Sequence, residues 1–318
     1  MKYQSDLIYT IKSLLDKNQK LVNFLCDTIN IGREASYRRI RGEVEFSASE
    51  IFTIAQKLNI SLDFFLNIKN QENSTVLFSI YTNDKHDPES IYMNKVKNEI
   101  QVLKPFIGKD TVITGAYTHL PEEMMYCHPN LMKLRILKVF SRNKACIKRF
   151  PTIKDIEIPK ELTLLIKEKI RMEHPFKKHL ILGTNLFHNI ISDIHYFYKL
   201  NLITSKEIFH LEKELNKVLH QITNSSSKHT KTSIYTSEFI LDHSFTYIKA
   251  DNKLLAIDLY PPDALISPDR EVCKIHEEYL DIIIQNSVLL SQAGLVNKQR
   301  YMQQQRKIIN TLHEYLSA

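Results

Sequence analysis

Apolar residues recur at helical spacing from the beginning of the chain. Leu7, Ile11 and Leu14 fall on one face of a predicted helix over residues 4–16. A polar break follows, and a second apolar stripe then predicts a second helix. The stripe consists of Val22, Leu25, Cys26 and Ile29. Two short amphipathic helices in close succession indicate a compact helical unit at this end of the chain.

A turn and a basic helix come next. Asn30 and Gly32 both tolerate left-handed backbone angles, so residues 30–32 predict a tight turn. Residues 32–42 read GREASYRRIRG, with four arginines in eleven positions. We expect this segment to form the third helix.

The clearest boundary in the sequence starts the fourth helix. Ser47 and Glu50 have the spacing of a capping box, and Phe46 and Ile51 flank it as a hydrophobic staple. The apolar face of this helix consists of Ile51, Ile54, Ala55 and Leu58. Ser61 then caps a short fifth helix over residues 62–66. Residues 1–68 therefore predict one domain of five short helices.

Residues 69–90 predict a linker, because they begin with a polar stretch, although residues 75–81 have the composition of a strand. The remaining pattern predicts helices over residues 89–105, 119–141, 159–173, 178–200, 204–222, 269–293 and 297–316. It predicts strands over residues 110–117 and 234–241, and a β-hairpin over residues 245–260. We interpret residues 91–223 as a mainly helical regulatory or interaction domain. Residues 224–318, with strands, a hairpin and two long helices, form either a third domain or one domain with residues 91–223.

The amino-terminal segments LVNFLCDTIN, GREASYRRIRG and FSASEIFTIAQKLNISLDFFL carry a resemblance to a known family. Over residues 4–67 the chain resembles the helix-turn-helix domain of phage-repressor-like (Cro/xenobiotic-response-element type) transcription regulators. In that family a glycine ends the recognition helix, as Gly42 does here. The resemblance implies a five-helix helix-turn-helix domain. Together with the pattern of the later residues, it predicts a mainly α fold, in which this domain precedes a helix-rich α+β region with a small β-hairpin.

One position departs from the family pattern. If Cys26 occupies the small position of the second helix, Tyr37 and Ile40 fall one residue late in the third. Either the turn at residues 30–32 is one residue longer, or Ser36 packs inward instead. The two alternatives rotate the recognition helix by about 100° relative to each other.

The resemblance implies that the third helix enters the major groove of double-stranded DNA. Arginine suits this place because its guanidinium can donate twice to guanine, or can neutralise a phosphate. We expect Arg38 to read a base, and Arg33, Arg39 and Arg41 to contact phosphates. The predicted DNA-binding residues are Arg33, Glu34, Ser36, Tyr37, Arg38, Arg39 and Arg41. The alternative is a solvated helix face whose charges pair with one another.

Charge supports DNA contact through its clustering rather than its total. The chain has a net charge of +7, yet residues 1–68 contain nine Lys and Arg residues and eight Asp and Glu residues. Four of those nine positive charges fall between Arg33 and Arg41. A local basic surface is the signal that nucleic-acid binding requires.

Motifs for catalysis or cofactor binding do not emerge from the sequence. The chain has only six glycines, and it contains neither GxGxxG nor GxxxxGK[ST]. The four cysteines have no metal-ligand spacing. His188, His195 and Asp193 lie near one helical face, but a distinct third ligand for a metal is not evident. We therefore expect no catalytic residues, metal or cofactor, and no enzymatic activity.

These observations together predict a sequence-specific DNA-binding transcription regulator. Such modules act as pairs, so we expect a homodimer, with a small molecule or a protein as effector of the carboxy-terminal region. The sequence has no apolar run of about 18 residues and no signal-peptide pattern, so we expect a cytoplasmic protein without membrane contact. The alternative is a helix-turn-helix-targeted protein with an unrecognised enzymatic or protein-interaction domain.

Overall fold

A computed structural model describes most of the chain, and it divides into two compact units, Met1–Leu77 and Phe78–Ala318. The described residues are 2–15, 20–58, 69–70, 73–74, 79–80, 88–141, 152–224, 231–238, 241–259, 264–290 and 292–314.

The described part of the first unit consists of four helices and a two-stranded ribbon. The helices are α1 (Lys2–Leu14), α2 (Leu21–Ile29), α3 (Arg33–Ile40) and α4 (Ala48–Leu58), and the strands are β1 (Lys69–Asn70) and β2 (Asn73–Ser74). The core of the helices consists of Leu7, Ile11, Leu21, Phe24, Leu25, Phe46, Ile54 and Ala55. The fifth helix predicted over residues 62–66 lies outside the described residues.

Local capping explains why α4 begins where it does. The Ser47 Oγ accepts from the Glu50 N–H at 3.3 Å, and the Ser47 N–H donates to Glu50 Oε2 at 2.9 Å. These two reciprocal bonds satisfy amides at the end of the helix that would otherwise lack partners. The capping box predicted from the sequence is therefore present.

An eight-stranded mixed sheet organises the second unit. Its strands are β3 (Ser79–Ile80), β4 (Val112–Tyr117), β5 (Lys177–Gly183), β6 (Thr232–Ser237), β7 (Phe245–Lys249), β8 (Lys253–Asp258), β9 (Ala264–Ser267) and β10 (Ser287–Leu289). Their order across the sheet is β10-β6-β5-β4-β7-β8-β9-β3. The central strands β4, β5 and β6 are parallel, and every other neighbouring pair is antiparallel.

Helices cover this sheet unequally. They are α5 (Pro88–Leu103), α6 (Pro129–Phe140), α7 (Lys160–Glu173), α8 (His188–Lys199), α9 (Ser205–Asn224), α10 (Arg270–Gln285) and α11 (Leu295–Glu314). Six of them, α5 to α9 and α11, share one apolar core with β5 and β6. The remaining helix, α10, contacts β6, β7 and β8, where Phe245 meets His276 and Tyr279 edge-on or tilted.

The fold class predicted from the sequence is wrong. The chain is not a mainly α protein in which a five-helix domain precedes a helical region with a small hairpin, because the second unit is built on this large mixed sheet. The hairpin over residues 245–260 exists, as β7 and β8, but it forms two strands of eight. Strands β5 and β6 pair across residues 224–231, so residues 91–223 and 224–318 contribute to the same sheet.

Two of the predicted helices contain a strand in the structure, and they account for much of the difference in fold class. Residues 178–200 were predicted as one helix, whereas Lys177–Gly183 is a central parallel strand and the helix begins only at His188. A short apolar run buried on both faces of a parallel sheet has no alternation to distinguish it from a helix. Residues 269–293 were also predicted as one helix, but α10 ends at Gln285 and Ser287–Leu289 forms an edge strand.

Candidate nucleic-acid interface

The basic segment forms α3, and the backbone defines both of its ends. Asn30, at φ 52°, ends α2 in the left-handed region. Gly42, at φ 80°, ends α3 in the same region, with its N–H bonded to the Arg39 carbonyl and the Glu43 N–H bonded to the Arg38 carbonyl. This pair of bonds is a Schellman motif, which favours glycine because a Cβ is strained at positive φ.

The register of α3 follows from Ser36. Its side chain is fully buried, and its Oγ lies 3.3 Å from Cys26 Sγ on α2. Of the two alternatives left open by the sequence, the structure shows the one in which Ser36 packs inward. Ser36 therefore lies on the face of α3 that packs against α2, whereas Tyr37 is 46% exposed.

The exposed face of α3 carries arginines around Tyr37. Arg33, Tyr37 and Arg41 follow one another at four-residue spacing, so they form a line along the helix. Glu34 and Arg38 form a second exposed line beside it. Of the residues predicted to bind DNA, these five lie together on the surface.

Arg39 has a different position. Its Nη2 lies 2.8 Å from Glu50 Oε1, its Nε donates to Glu50 Oε2 at 3.2 Å, and its side chain is only 16% exposed. Burial would raise the pKa of Glu50, but the Ser47 N–H and the Arg39 guanidinium outweigh it and hold the pKa below its usual value. Arg39 thus joins α3 to the first turn of α4.

Two of the exposed arginines, Arg38 and Arg41, form solvent-exposed ion pairs with carboxylates on the same surface. Arg41 donates to Glu43 at 2.6 Å and to Glu34 at 3.4 Å, and Arg38 lies 3.7 Å from Glu43. The hydrogen bond from Arg41 keeps the pKa of Glu43 below its usual value. Pairs this exposed contribute little stability, so a polyanion can replace the carboxylates as the partner of these guanidinium groups.

A second site, which the sequence analysis did not identify, lies in the second unit. Eight side chains from α5, residues 122–123, α6, α7 and β5 form a row of alternating charge. In order they are Arg135, Glu122, Lys95, Glu99, Lys169, Glu173, Lys178 and Glu123. This row of eight side chains, which we call the charge ladder, contains four positive and four negative charges. The eight residues come from five segments, namely α5, residues 122–123, α6, α7 and β5, so no local motif contains the whole ladder.

Glu122 is the most strongly held member of the charge ladder. It accepts from Arg135 Nε at 2.6 Å, from the Tyr92 hydroxyl at 3.0 Å, and from Lys95. Burial would raise its pKa, but Arg135 and Lys95 hold the pKa far below the usual range. The carboxylate is therefore ionised at any physiological pH.

Seven of the eight ladder residues, all but Lys178, line a cavity of about 200 Å³ together with one face of the sheet. Its floor is apolar and formed by cross-strand neighbours that share one face of the sheet: Ile113, Ile248, Leu254, Ala256 and Ile266. Gly115 of β4 is required here, because a Cβ would collide with the ring of Tyr117. The Tyr117 ring lies over Gly115, and its hydroxyl is 3.2 Å from Thr246 Oγ1.

A neighbouring cavity of about 270 Å³ shares His119, Arg135 and Asp258 with the first. Here Ser244 Oγ lies 3.0 Å from His119 Nδ1, and His119 Nε2 lies 3.6 Å from Asp258. This order suggests a hydrolytic triad, but Ser244 is only 2% exposed and its hydroxyl already accepts from the Thr118 N–H at 2.9 Å. Burial lowers the pKa of His119 to about 4, which makes the imidazole a weak base. The geometry favours a structural role for Ser244.

The histidines considered from the sequence do not converge on a site. Neither cavity is lined by His188 or His195, and Asp193 pairs with Lys138 at 2.6 Å. Within the described part of the chain, no group of three or more His, Cys, Asp and Glu side chains could hold a metal ion.

Comparisons with known protein families, curated proteins and solved structures find no match for this chain. Within the described residues, no helix combines the length and the apolar composition needed to cross a membrane.

Proposed function

We propose that this protein is a sequence-specific DNA-binding transcription regulator whose first unit places α3 in the major groove. The observation that carries the proposal is the exposed face of α3, where Arg33, Arg38 and Arg41 surround Tyr37. An α-helix fits the width of the major groove, and guanidinium groups serve both phosphates and guanine. The resemblance of residues 4–67 to phage-repressor-like regulators supports the same role.

The contacts divide the predicted DNA-binding residues by role. Arg38, on the exposed line that it forms with Glu34, reads a base edge, while Arg33 and Arg41 at the two ends of the helix bind phosphates. Arg39 acts as a positioning residue, because its guanidinium pairs with Glu50. Ser36 supports α3 from behind, since it is buried against Cys26. Glu34 and Glu43 lower the positive charge of the surface and so limit non-specific binding.

The proposal includes a homodimer, because one such helix contacts too little DNA for useful specificity. Apolar side chains on the second unit are available for this association. Ile275 and Ile282 lie seven residues apart on α10, and Leu295 and Val296 begin α11, all of them more than half exposed. Light scattering should then give the mass of a dimer, and Ile282→Glu should shift that mass towards the monomer.

Selection from a randomised duplex pool tests the proposed DNA binding. We expect a pseudo-palindromic site that the protein binds far more tightly than random DNA. Arg38→Ala should weaken binding to that site by roughly 1–3 kcal/mol and relax its sequence at one position in each half. Lys57→Ala, on the exposed end of α4, is the matched control and should leave the selected sequence unchanged. Failure to enrich any sequence would contradict specific binding.

A further inference from the structure

The cavity beside the charge ladder has more negative than positive charge around it, and the ladder's own ion pairs do not account for the excess. Every lysine and arginine of the ladder already pairs with one of its carboxylates. Asp258, at the end of β8, adds a further carboxylate to the wall of this cavity. Among the described residues no Lys or Arg forms an ion pair with it, and its contact at 3.6 Å is with His119, which is neutral at pH 7 because burial lowers its pKa to about 4. The four cations of the charge ladder therefore face five carboxylates, its own four and that of Asp258.

A second carboxylate at this cavity, that of Glu123, also has an oxygen without a partner in the described part of the chain. Glu123 also lines the cavity, and its Oε1 is buried without a hydrogen-bond donor among the described residues. The Tyr117 hydroxyl lies in the electric field of both carboxylates, which raise the pKa of Tyr117 together with burial. The negative field of these two carboxylates favours a cationic ligand in the cavity.

The apolar side of the cavity indicates what the rest of the ligand must be. The sheet floor is apolar, and Val102 and Leu103 of α5 add to it. A site with a predominantly apolar surface and a few polar groups is typical of small-molecule binding. A ligand for this cavity therefore combines a compact apolar body with a positively charged nitrogen.

We propose that this cavity binds a small organic cation, with its ammonium group at Asp258 and its apolar body on the floor of β7, β8 and β9. Asp258 is accessible to such a ligand, because its side chain is 42% exposed. The proposal concerns the second unit alone and stands whether or not the first unit binds DNA.

Three probes with the same six-carbon chain separate the charge from the apolar body: hexylamine, hexanol and hexanoate. Calorimetric titration of the full chain at pH 7 should give hexylamine the tightest binding, roughly tenfold or more over hexanol. Hexanoate should bind most weakly, since its carboxylate meets Asp258. Equal affinities, tighter binding of hexanoate, or no binding of any probe would overturn the proposal.

Variants locate the binding site. Asp258→Asn keeps the shape of the side chain and should abolish the preference for hexylamine over hexanol. The matched control is Asp251→Asn, which removes the same charge from the exposed turn between β7 and β8 and should change nothing. Ala256→Leu fills the floor and should weaken hexylamine and hexanol alike. A preference for hexylamine that survives in Asp258→Asn would contradict the proposed site.

The pH dependence gives a readout in the unmodified protein. Burial and the neighbouring carboxylates raise the pKa of Asp258 to about 6, so its charge is lost between pH 7 and pH 5. The charged or titratable groups that face it are His119, Lys95, Glu99, Glu122, Arg135 and Tyr117. None of these changes charge in that interval, because the pKa of His119 is lowered to about 4 and those of both glutamates are lowered. Hexylamine should bind roughly tenfold more weakly at pH 5 than at pH 7, and a flat profile would oppose the assignment to Asp258.

Discussion

The two units of this protein use charged side chains in opposite ways. On α3 the guanidinium groups of Arg38 and Arg41 are about half exposed, and their carboxylate partners share the same open surface. In the charge ladder, Arg135 and Glu122 are each nearly nine-tenths buried, and their hydrogen bonds leave little freedom. Exposed charges contribute little to folding and remain available to a partner, whereas buried charges stabilise the fold only as a complete set.

The largest expected effect comes from breaking the charge ladder. Arg135→Met retains much of the side-chain volume but removes the guanidinium group whose Nε and Nη2 both contact Glu122 Oε1. We expect a loss of roughly 3–5 kcal/mol in the stability of the second unit, measured by urea unfolding. The double variant Arg135→Met with Glu122→Leu should recover much of that loss, because no uncompensated charge remains. A loss below about 1 kcal/mol for the single variant would show that the pair is not energetically important.

Acid should break the same ladder. The folded-state pKa of Glu122 lies below its unfolded value, so its contribution is fully present above the unfolded pKa of about 4.3. That contribution is lost as the pH falls from there towards the folded pKa. We expect the unfolding midpoint of the wild type to fall more steeply below pH 4 than that of Glu122→Gln. Parallel curves for the two proteins would contradict the assigned pKa shift.

A smaller effect tests the packing beneath the cavity. Gly115→Ala places a methyl group against the Tyr117 ring, and we expect a loss of roughly 1–3 kcal/mol in stability. In a Tyr117→Ala background the same substitution should cost much less, because the ring is gone. The control is Gly294→Ala, where nothing lies within 4 Å of the added methyl group. Equal losses in both backgrounds would show that the collision with Tyr117 is not the cause.

The smallest effects concern the first unit and contrast a cap with an exposed charge. Ser47→Ala removes the capping box and should lower the stability of this unit by about 1 kcal/mol. Arg38→Ala should change stability by less than about 0.5 kcal/mol, since its ion pair is exposed. Thermal unfolding of both variants checks this order. A larger loss for Arg38→Ala would mean that the residue holds the fold rather than a partner.

Local signals made the first unit predictable. The capping box at Ser47, the turn at Asn30 and the glycine that ends α3 each depend on residues within one or two turns of a helix. The sequence also narrowed the register of α3 to two alternatives, and only the contact between Ser36 and Cys26 decided between them. That contact joins two helices, so it depends on tertiary packing.

The second unit was less predictable for the same reason. Strand β5 has the apolar run of a buried strand, and its neighbours β4 and β6 come from distant parts of the sequence. The charge ladder joins Lys95, Glu122 and Arg135 with residues as far along as Lys178. The sequence pattern can show that such residues are charged, but only the fold shows that they are paired.

Salt-dependent binding of duplex DNA tests the central claim, that the exposed arginines of α3 form a DNA-binding surface. The wild type is compared with the triple variant Arg33→Gln, Arg38→Gln and Arg41→Gln by fluorescence anisotropy at several salt concentrations. The matched control removes three exposed cations of the second unit: Lys274→Gln, Arg300→Gln and Lys307→Gln. We expect the triple variant on α3 to bind more weakly and to reduce the salt slope of the dimer by roughly 4 to 5, because both copies of α3 lose their arginine contacts, while the control keeps the wild-type slope. Unchanged affinity and slope in the α3 variant would contradict the claim.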